Sequence, residues 1–129
     1  MKKAWRWIDK RLLLILHDEG LAEHGGASGL RDEGLLDSAL ARPLNLLACG
    51  SPDAADLAAS YGFDLAKHHA LVDGNKRAAF LAVGLFLALN GFGLNAAQAD
   101  ATLIVMAVAS GDIDEPAFAR WIRSNSVPR

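Results

Sequence analysis

The sequence predicts an all-α fold, a compact bundle of six helices forming one domain over residues 1–129. Three observations predict it. Apolar residues recur at helical spacing along most of the chain, and no sustained alternation marks a strand. Threonines are few and there is a single tyrosine, so the residues that favour strands are scarce. The hydrophobic fraction of 52% does not suit a disordered chain and supplies enough material for one core in 129 residues.

The first helix is expected from about Ile8 to Ala22, with Ile8, Leu12, Ile15 and Leu16 on its inner face. It ends at His24-Gly25-Gly26, where His24 reads as a C-cap rather than as part of a target-binding flap and the glycines permit a helix stop. The second starts at Asp32, a good N-cap, and carries Leu35, Leu36, Leu40 and Leu44 until Pro43 kinks or ends it. The third begins near Ser51-Pro52-Asp53 and runs through Leu57, Tyr61 and Leu65 to His68 or His69. Val72-Asp73-Gly74 breaks the pattern.

The fourth helix, from about Asn75 to Leu89, is apolar on all sides after Arg77, the pattern of a buried central helix. Its small residues Ala78, Ala79, Ala82, Gly84 and Ala88 admit close neighbours. The fifth is expected over about Ala97 to Ala109 and the sixth over Glu115 to Ser124.

Charge and cysteine content exclude several functions. Thirteen basic and 15 acidic residues give a formal net charge of -2, which argues against direct nucleic-acid binding through a broad basic face. The single Cys49 cannot form an internal disulfide, which fits a cytoplasmic protein. One cysteine and four histidines do not stand at zinc-ligand spacing. Met1-Lys2-Lys3 resembles the start of a leader, but the apolar run Leu12 to Leu16 is too short to continue one, and the chain reads as unprocessed. The longest uncharged stretch, Ala78 to Gln98, contains Asn90, Gly91, Gly93 and Asn95 and reads as a helix end, so no membrane span is expected.

One segment concentrates chemistry: His69-Ala70-Leu71-Val72-Asp73-Gly74-Asn75-Lys76-Arg77. A helix ends, a turn follows, and a new helix begins at Gly74 or Asn75. Helix starts present unpaired N–H groups and partial positive charge, so they receive anions, phosphate above all. Gly74 lets an anion approach the backbone. Lys76 and Arg77 add cations at the helix end where the dipole disfavours them, which points to an anion there. Asp73 reads either as an N-cap or as a ligand for Mg²⁺, which favours carboxylate and phosphate oxygens. The imidazole of His69 can take a proton from an attacking hydroxyl near neutral pH. Base, metal ligand, anion nest and cations make a phosphoryl-transfer site. The plainer alternative is a capped turn followed by a solvated Lys-Arg pair.

The same segment resembles the Fic/Doc signature: a histidine, a turn, an acidic residue, Gly or Ala, Asn, then basic residues. Its ending, Asn75-Lys76-Arg77, is most similar to the Doc branch. Leu16-His17-Asp18 in the first helix and the stretch from Gly25-Gly26 through Gly29-Leu30-Arg31-Asp32 to Ala41-Arg42-Pro43 also resemble that branch, in the right order. Ala70 and Leu71 stand where many Fic proteins have Pro and Phe. Lys76 and Phe80 stand where Fic AMP-transferases carry a Gly and a second Arg that grips the terminal phosphate.

The resemblance implies the toxin of a toxin–antitoxin pair, with ATP as substrate and Mg²⁺ as cofactor. It implies a protein kinase that phosphorylates elongation factor Tu and blocks translation, with an antitoxin as partner. By matching position, His69 is the general base and Asp73 binds Mg²⁺. Gly74 and Asn75 hold phosphate, Asn75 through its amide, while Lys76 and Arg77 neutralise phosphate charge. The loop from Gly25 to Arg31 is expected over the site. An AMP-transferase and a catalytically silent antitoxin-binding module are the alternatives. Lys76 and Phe80 speak against the first, and the intact His69, Asp73, Asn75 and Arg77 against the second.

Other candidates read as structural. His68 and His69 diverge by about 100° on a helix and do not share a metal. His17 is expected in a local helix hydrogen bond, and Trp5, Trp7 and Trp121 in packing or at a partner surface. Cys49 lacks a basic neighbour and reads as inert.

Overall fold

The computed structural model describes residues 4–129, so Met1-Lys2-Lys3 lies outside the described residues. Six helices follow in order: α1 Lys10–His24, α2 Glu33–Cys49, α3 Ala54–His68, α4 Asn75–Leu89, α5 Gln98–Ser110 and α6 Glu115–Asn125. Two short strands, β1 Phe92–Leu94 and β2 Ser126–Pro128, join them. They pair antiparallel, with Gly93 opposite Val127. The all-α prediction holds. The strand pair was not foreseen, because three residues are too few to display a period of two.

Aspartates set four of the helix starts. Asp9, Asp32, Asp53 and Asp114 each accept a hydrogen bond from a backbone N–H of the helix that they open. At α3 the cap is reciprocal: Asp53 receives the Asp56 N–H and Asp56 receives the Asp53 N–H.

The core assigns different faces from those expected. The inner stripe of α1 is Leu13, His17 and Leu21, whereas Leu12 and Ile15 are exposed. The stripe has the spacing i, i+4, i+8, but a histidine sits in its middle. That broke the apolar pattern and shifted the expected face by one residue. Gly25, not His24, caps this helix and donates its N–H to the Leu21 carbonyl.

In α2, Pro43 does not end the helix, which continues to Cys49. Pro43 is buried in line with Leu36 and Ala39, so its ring adds to the packing that holds the helix together. Leu44, expected inside, is exposed.

The centre of the bundle is α3 rather than α4. It packs against α2, α4, α5 and α6 and buries residues on nearly every side. Alanine and glycine permit this crowding. A Cβ at Gly62 would stand 2.7 Å from Val83 Cγ2 and 2.9 Å from Phe118 Cε2. Helix α4 buries one face, Ala78, Ala79, Ala82, Val83, Phe86 and Leu87, and leaves Phe80 exposed. An unbroken apolar sequence hid this division because the exposed side is also apolar.

The residues before α1 are anchored to the core. Tyr61 Oη accepts the Ile8 N–H, and the Asn90 side chain bonds both the N–H and the carbonyl of Arg6. Trp5 and Trp7 lie against Phe86, with centroids at 5.9 and 6.0 Å, and Trp121 also packs on the core. The tryptophans serve packing, as expected.

Candidate active site

The loop between α3 and α4 is built by an unusual stop and an unusual start. His69 caps α3 in the left-handed conformation, φ 51° and ψ 48°. Among the described residues it is the one non-glycine residue with positive φ, a geometry disfavoured by about 1–2 kcal/mol. Arg31 offsets it. Its guanidinium donates to the carbonyls of His69 and His68, which a helix end leaves without partners. The N–H groups of Arg31 and Asp32 both donate to the Ala70 carbonyl.

The segment from Gly25 to Arg31 is therefore laced to the loop. Leu30 and Leu71 form an isolated antiparallel bridge, and the Val72 N–H donates to the Gly29 carbonyl at 3.1 Å. Ala27 N–H donates to Asp73 Oδ2 at 3.3 Å. The segment expected over the site is thus bonded to the loop's backbone and to Asp73.

Gly74 opens α4 at φ 72° and no side chain caps the helix. Glycine is required twice here. The backbone angle disfavours other residues, and a Cβ would lie 2.9 Å from His17 Cε1. The first-turn N–H groups of α4 remain open, and Lys76 and Arg77 are exposed beside them. Among the described residues neither cation forms an ion pair.

The sequence reading missed two residues that shape this site. One is Arg31, described above. The other is His17, buried at 2% exposure, whose Nε2 lies 3.0 Å from the Asp73 carbonyl oxygen. Since a carbonyl only accepts, Nε2 carries a proton, and Nδ1 is buried without a hydrogen-bond partner. His17 thus bonds across the fold rather than within its own helix. The signal was available: a histidine in the middle of an i, i+4, i+8 apolar stripe needs a polar partner from elsewhere.

Asn75 has a different task from the one expected. Its amide makes a closed pair with one residue, accepting the Leu71 N–H and donating to the Leu71 carbonyl, both at 3.0 Å. Asn75 is buried, so its side chain fixes the loop, and its backbone N–H is what it can offer an anion. Leu71 is buried and anchors the loop from within. His69 and Asp73, by contrast, are exposed at the two ends of the turn.

Asp73 has the donor set for a hard cation. Oδ1 accepts its neighbour Gly74's N–H at 2.8 Å and Oδ2 accepts from Ala27. Each oxygen keeps a further lone pair. Among the described residues no cluster of three His, Cys, Asp or Glu side chains forms a cage. One carboxylate completed by phosphate oxygens and water is the usual setting of Mg²⁺, so the residues present fit that ion.

Two grooves flank the start of α4. One, of about 300 Å³, lies between α4 and α5 and is bordered by Lys76, Arg77 and Phe80. The other, of about 380 Å³, lies between α1 and α4 along Leu16, Gly20, His24 and Leu85. A larger cavity of about 540 Å³ sits elsewhere, beside Arg42, Cys49 and Glu115. There Arg42 is bound to Asp64 and Glu115, joining α2, α3 and α6. His68 is exposed and near Asp64, 4.0 Å away, rather than at the loop centre. No helix among the described residues is long and apolar enough to cross a membrane.

Comparison with known proteins shows the family. A family profile described as Fic/DOC family matches residues 7–87, more than half of the chain and the whole of the loop. Toxin Doc of Mycolicibacterium smegmatis is 46% identical over 79 residues, 60% of this chain and 61% of that protein. Protein kinase doc of Escherichia phage P1 is 31% identical over 119 residues, 92% of this chain and 94% of that protein. The matched region thus spans about three fifths of the first relative and nearly all of the second.

Proposed function

The chain belongs to the Fic/Doc family, and from that premise we propose that it is a toxin that phosphorylates a protein hydroxyl with ATP. The observation that carries the reading is the uncapped start of α4. Its open N–H groups lie beside the unpaired Lys76 and Arg77, on a loop that begins at His69 and ends at Asp73. A phosphate chain at that helix end meets dipole, amides and cations together.

His69 takes the proton of the target hydroxyl. The hydroxyl oxygen then bonds to the γ-phosphorus, the bond from that phosphorus to the bridging oxygen breaks, and ADP leaves. Lys76 and Arg77 balance the charge on the phosphates. Mg²⁺, held by Asp73, supplies further charge neutralisation when bound. The backbone N–H of Asn75 holds phosphate oxygen, and Gly74, whose own N–H is taken by Asp73, leaves room for it. Asn75's side chain, His17 and Arg31 keep the loop in shape.

The target we infer is elongation factor Tu, so that the activity blocks translation, and the partner that restrains it is a small antitoxin. The name of the phage P1 relative, a protein kinase, supports phosphoryl transfer over AMP transfer. Lys76 and Phe80 favour the same choice. We place the activity in the cytoplasm, where that target and ATP are found.

The test is incubation of the protein with elongation factor Tu and ATP labelled separately at the α- and γ-phosphates. Transfer of the γ label alone is expected. Transfer of the α label would make the protein an AMP-transferase. Transfer of neither, with an antitoxin still bound, would make it a silent binding module.

A further inference from the structure

The groove between α4 and α5 offers a nucleotide more than phosphate binding. Its volume of about 300 Å³ stands at the small end for ligand pockets, a size for a base or nucleoside. Lys76 and Arg77 stand at one end of it. Phe80 follows Lys76 at i+4, so it shares that face of α4, about 6 Å further along the axis. Phe80 is 37% exposed and Met106, across the groove on α5, is 50% exposed. Single exposed apolar residues mean little. Here two of them line one groove that ends in two unpaired cations, an arrangement matching the apolar and anionic halves of a nucleotide.

Gln98 opens α5 and borders the same groove. Its side-chain amide makes no hydrogen bond to any described residue. Its own carbonyl is used, accepting Thr102 Oγ1 at 2.9 Å. An amide presents one donor and one acceptor side by side. On its N7 edge adenine presents the complementary pair, the N6 amino group and N7, whereas guanine on the same edge presents two acceptors, O6 and N7.

We propose that the α4–α5 groove is the nucleobase subsite of the phosphotransfer site, with Phe80 and Met106 as its walls and Gln98 selecting adenine over guanine. This rests on the phosphotransfer reading above and deepens it. The base lies down α4 from the cations, so the phosphate chain runs back over Lys76 and Arg77 toward Gly74. The terminal phosphate is then the one nearest the loop. The α1–α4 groove is less suited. Its imidazoles are His17, whose Nε2 is committed to Asp73, and the exposed His24. Neither presents a paired donor and acceptor.

Calorimetric titration of the full chain with ATP, GTP and inorganic tripolyphosphate, each with Mg²⁺, tests the assignment. ATP is expected to bind more tightly than GTP or tripolyphosphate. Gln98→Ala, at an exposed position, should lower ATP affinity about tenfold to the level of GTP. Phe80→Ala should weaken both nucleotides. Neither substitution should alter tripolyphosphate binding. Equal affinity for ATP and GTP, or a Gln98→Ala protein that keeps its preference, overturns the subsite and leaves the phosphate site standing. A wild-type protein that binds neither ATP nor tripolyphosphate overturns the phosphotransfer reading and the subsite with it.

Discussion

The starts of α3 and α4 are the same kind of element treated in opposite ways. At α3, Asp53 and Asp56 cap each other, and Arg123 reaches from α6 to bind both, at 2.7 and 2.9 Å. Partial positive charge, carboxylates and guanidinium are balanced within the protein. At α4 a glycine stands in the cap position, no side chain closes the turn, and two free cations add to the positive end. A glycine in place of a side-chain cap costs a few tenths of a kcal/mol, and each cation at this end of the dipole adds about 0.3–1 kcal/mol. The other start without a side-chain cap is α5, at Ala97, whose first residue Gln98 borders the same groove as Lys76. A helix start that serves only the fold closes on itself. The start of α4 is left for a guest, and the sharpest tests break one start while sparing the other.

The largest effect is expected at the loop. His69→Ala should reduce phosphate transfer about 10²–10⁴-fold. Its side chain is exposed, so the melting temperature and ATP binding should change little. A folded His69→Ala protein that remains fully active in transfer and toxic to its host would remove His69 from the mechanism.

A smaller effect should follow from Gly74→Ala. The added methyl meets His17 at 2.9 Å and the residue must hold φ 72°, so stability should fall by about 1–2 kcal/mol. Transfer should fall as well, since the loop must shift. Gly84→Ala in the same helix is the control. Nothing stands within 4 Å of its new Cβ, and a helical Gly→Ala change should stabilise by roughly 0.5–1 kcal/mol. Chemical denaturation of the two variants measures the contrast. Equal effects would show that α4 tolerates a side chain at its start as well as in its middle.

Much of this contrast was legible in the sequence. Gly74 followed by Lys76 and Arg77 announced an open helix start, and Asp32 announced a closed one. Six helices and the loop are where the sequence placed them to within a few residues, except that α2 continues past Pro43 to Cys49. Long-range polar contacts were not legible. His17 and Arg31 act on the loop from 56 and 38 residues away, and no local pattern encodes such a pairing. The central role of α3 was also hidden. The unbroken apolar run of α4 drew the central place to that helix, whereas alanines and Gly62 allow neighbours on nearly every side of α3. Likewise the apolar exposed side of α4 made a groove wall look like core.

The smallest effect lies at α3 and has a pH signature. The Arg123 guanidinium, opposed in part by burial and helped by Asp56, lowers the Asp53 carboxyl to about 2 from its usual 3.8. A group with a depressed folded pKa stabilises the protein fully above its unfolded pKa and loses that contribution as pH falls through the folded one. Asp53→Ala should therefore cost about 1 kcal/mol at neutral pH through the lost cap. The gap to the wild type should narrow between about pH 4 and pH 2, as protonation removes from the wild type what the substitution has already removed. Thermal melts over that range follow it. Asp53 and His69 stand at opposite ends of α3, about 22 Å of helix apart. Transfer at neutral pH should therefore survive in Asp53→Ala wherever the protein is folded. A folded Asp53→Ala protein that has lost transfer would mean that the closed start also serves the chemistry, and the division between the two helix starts would fail.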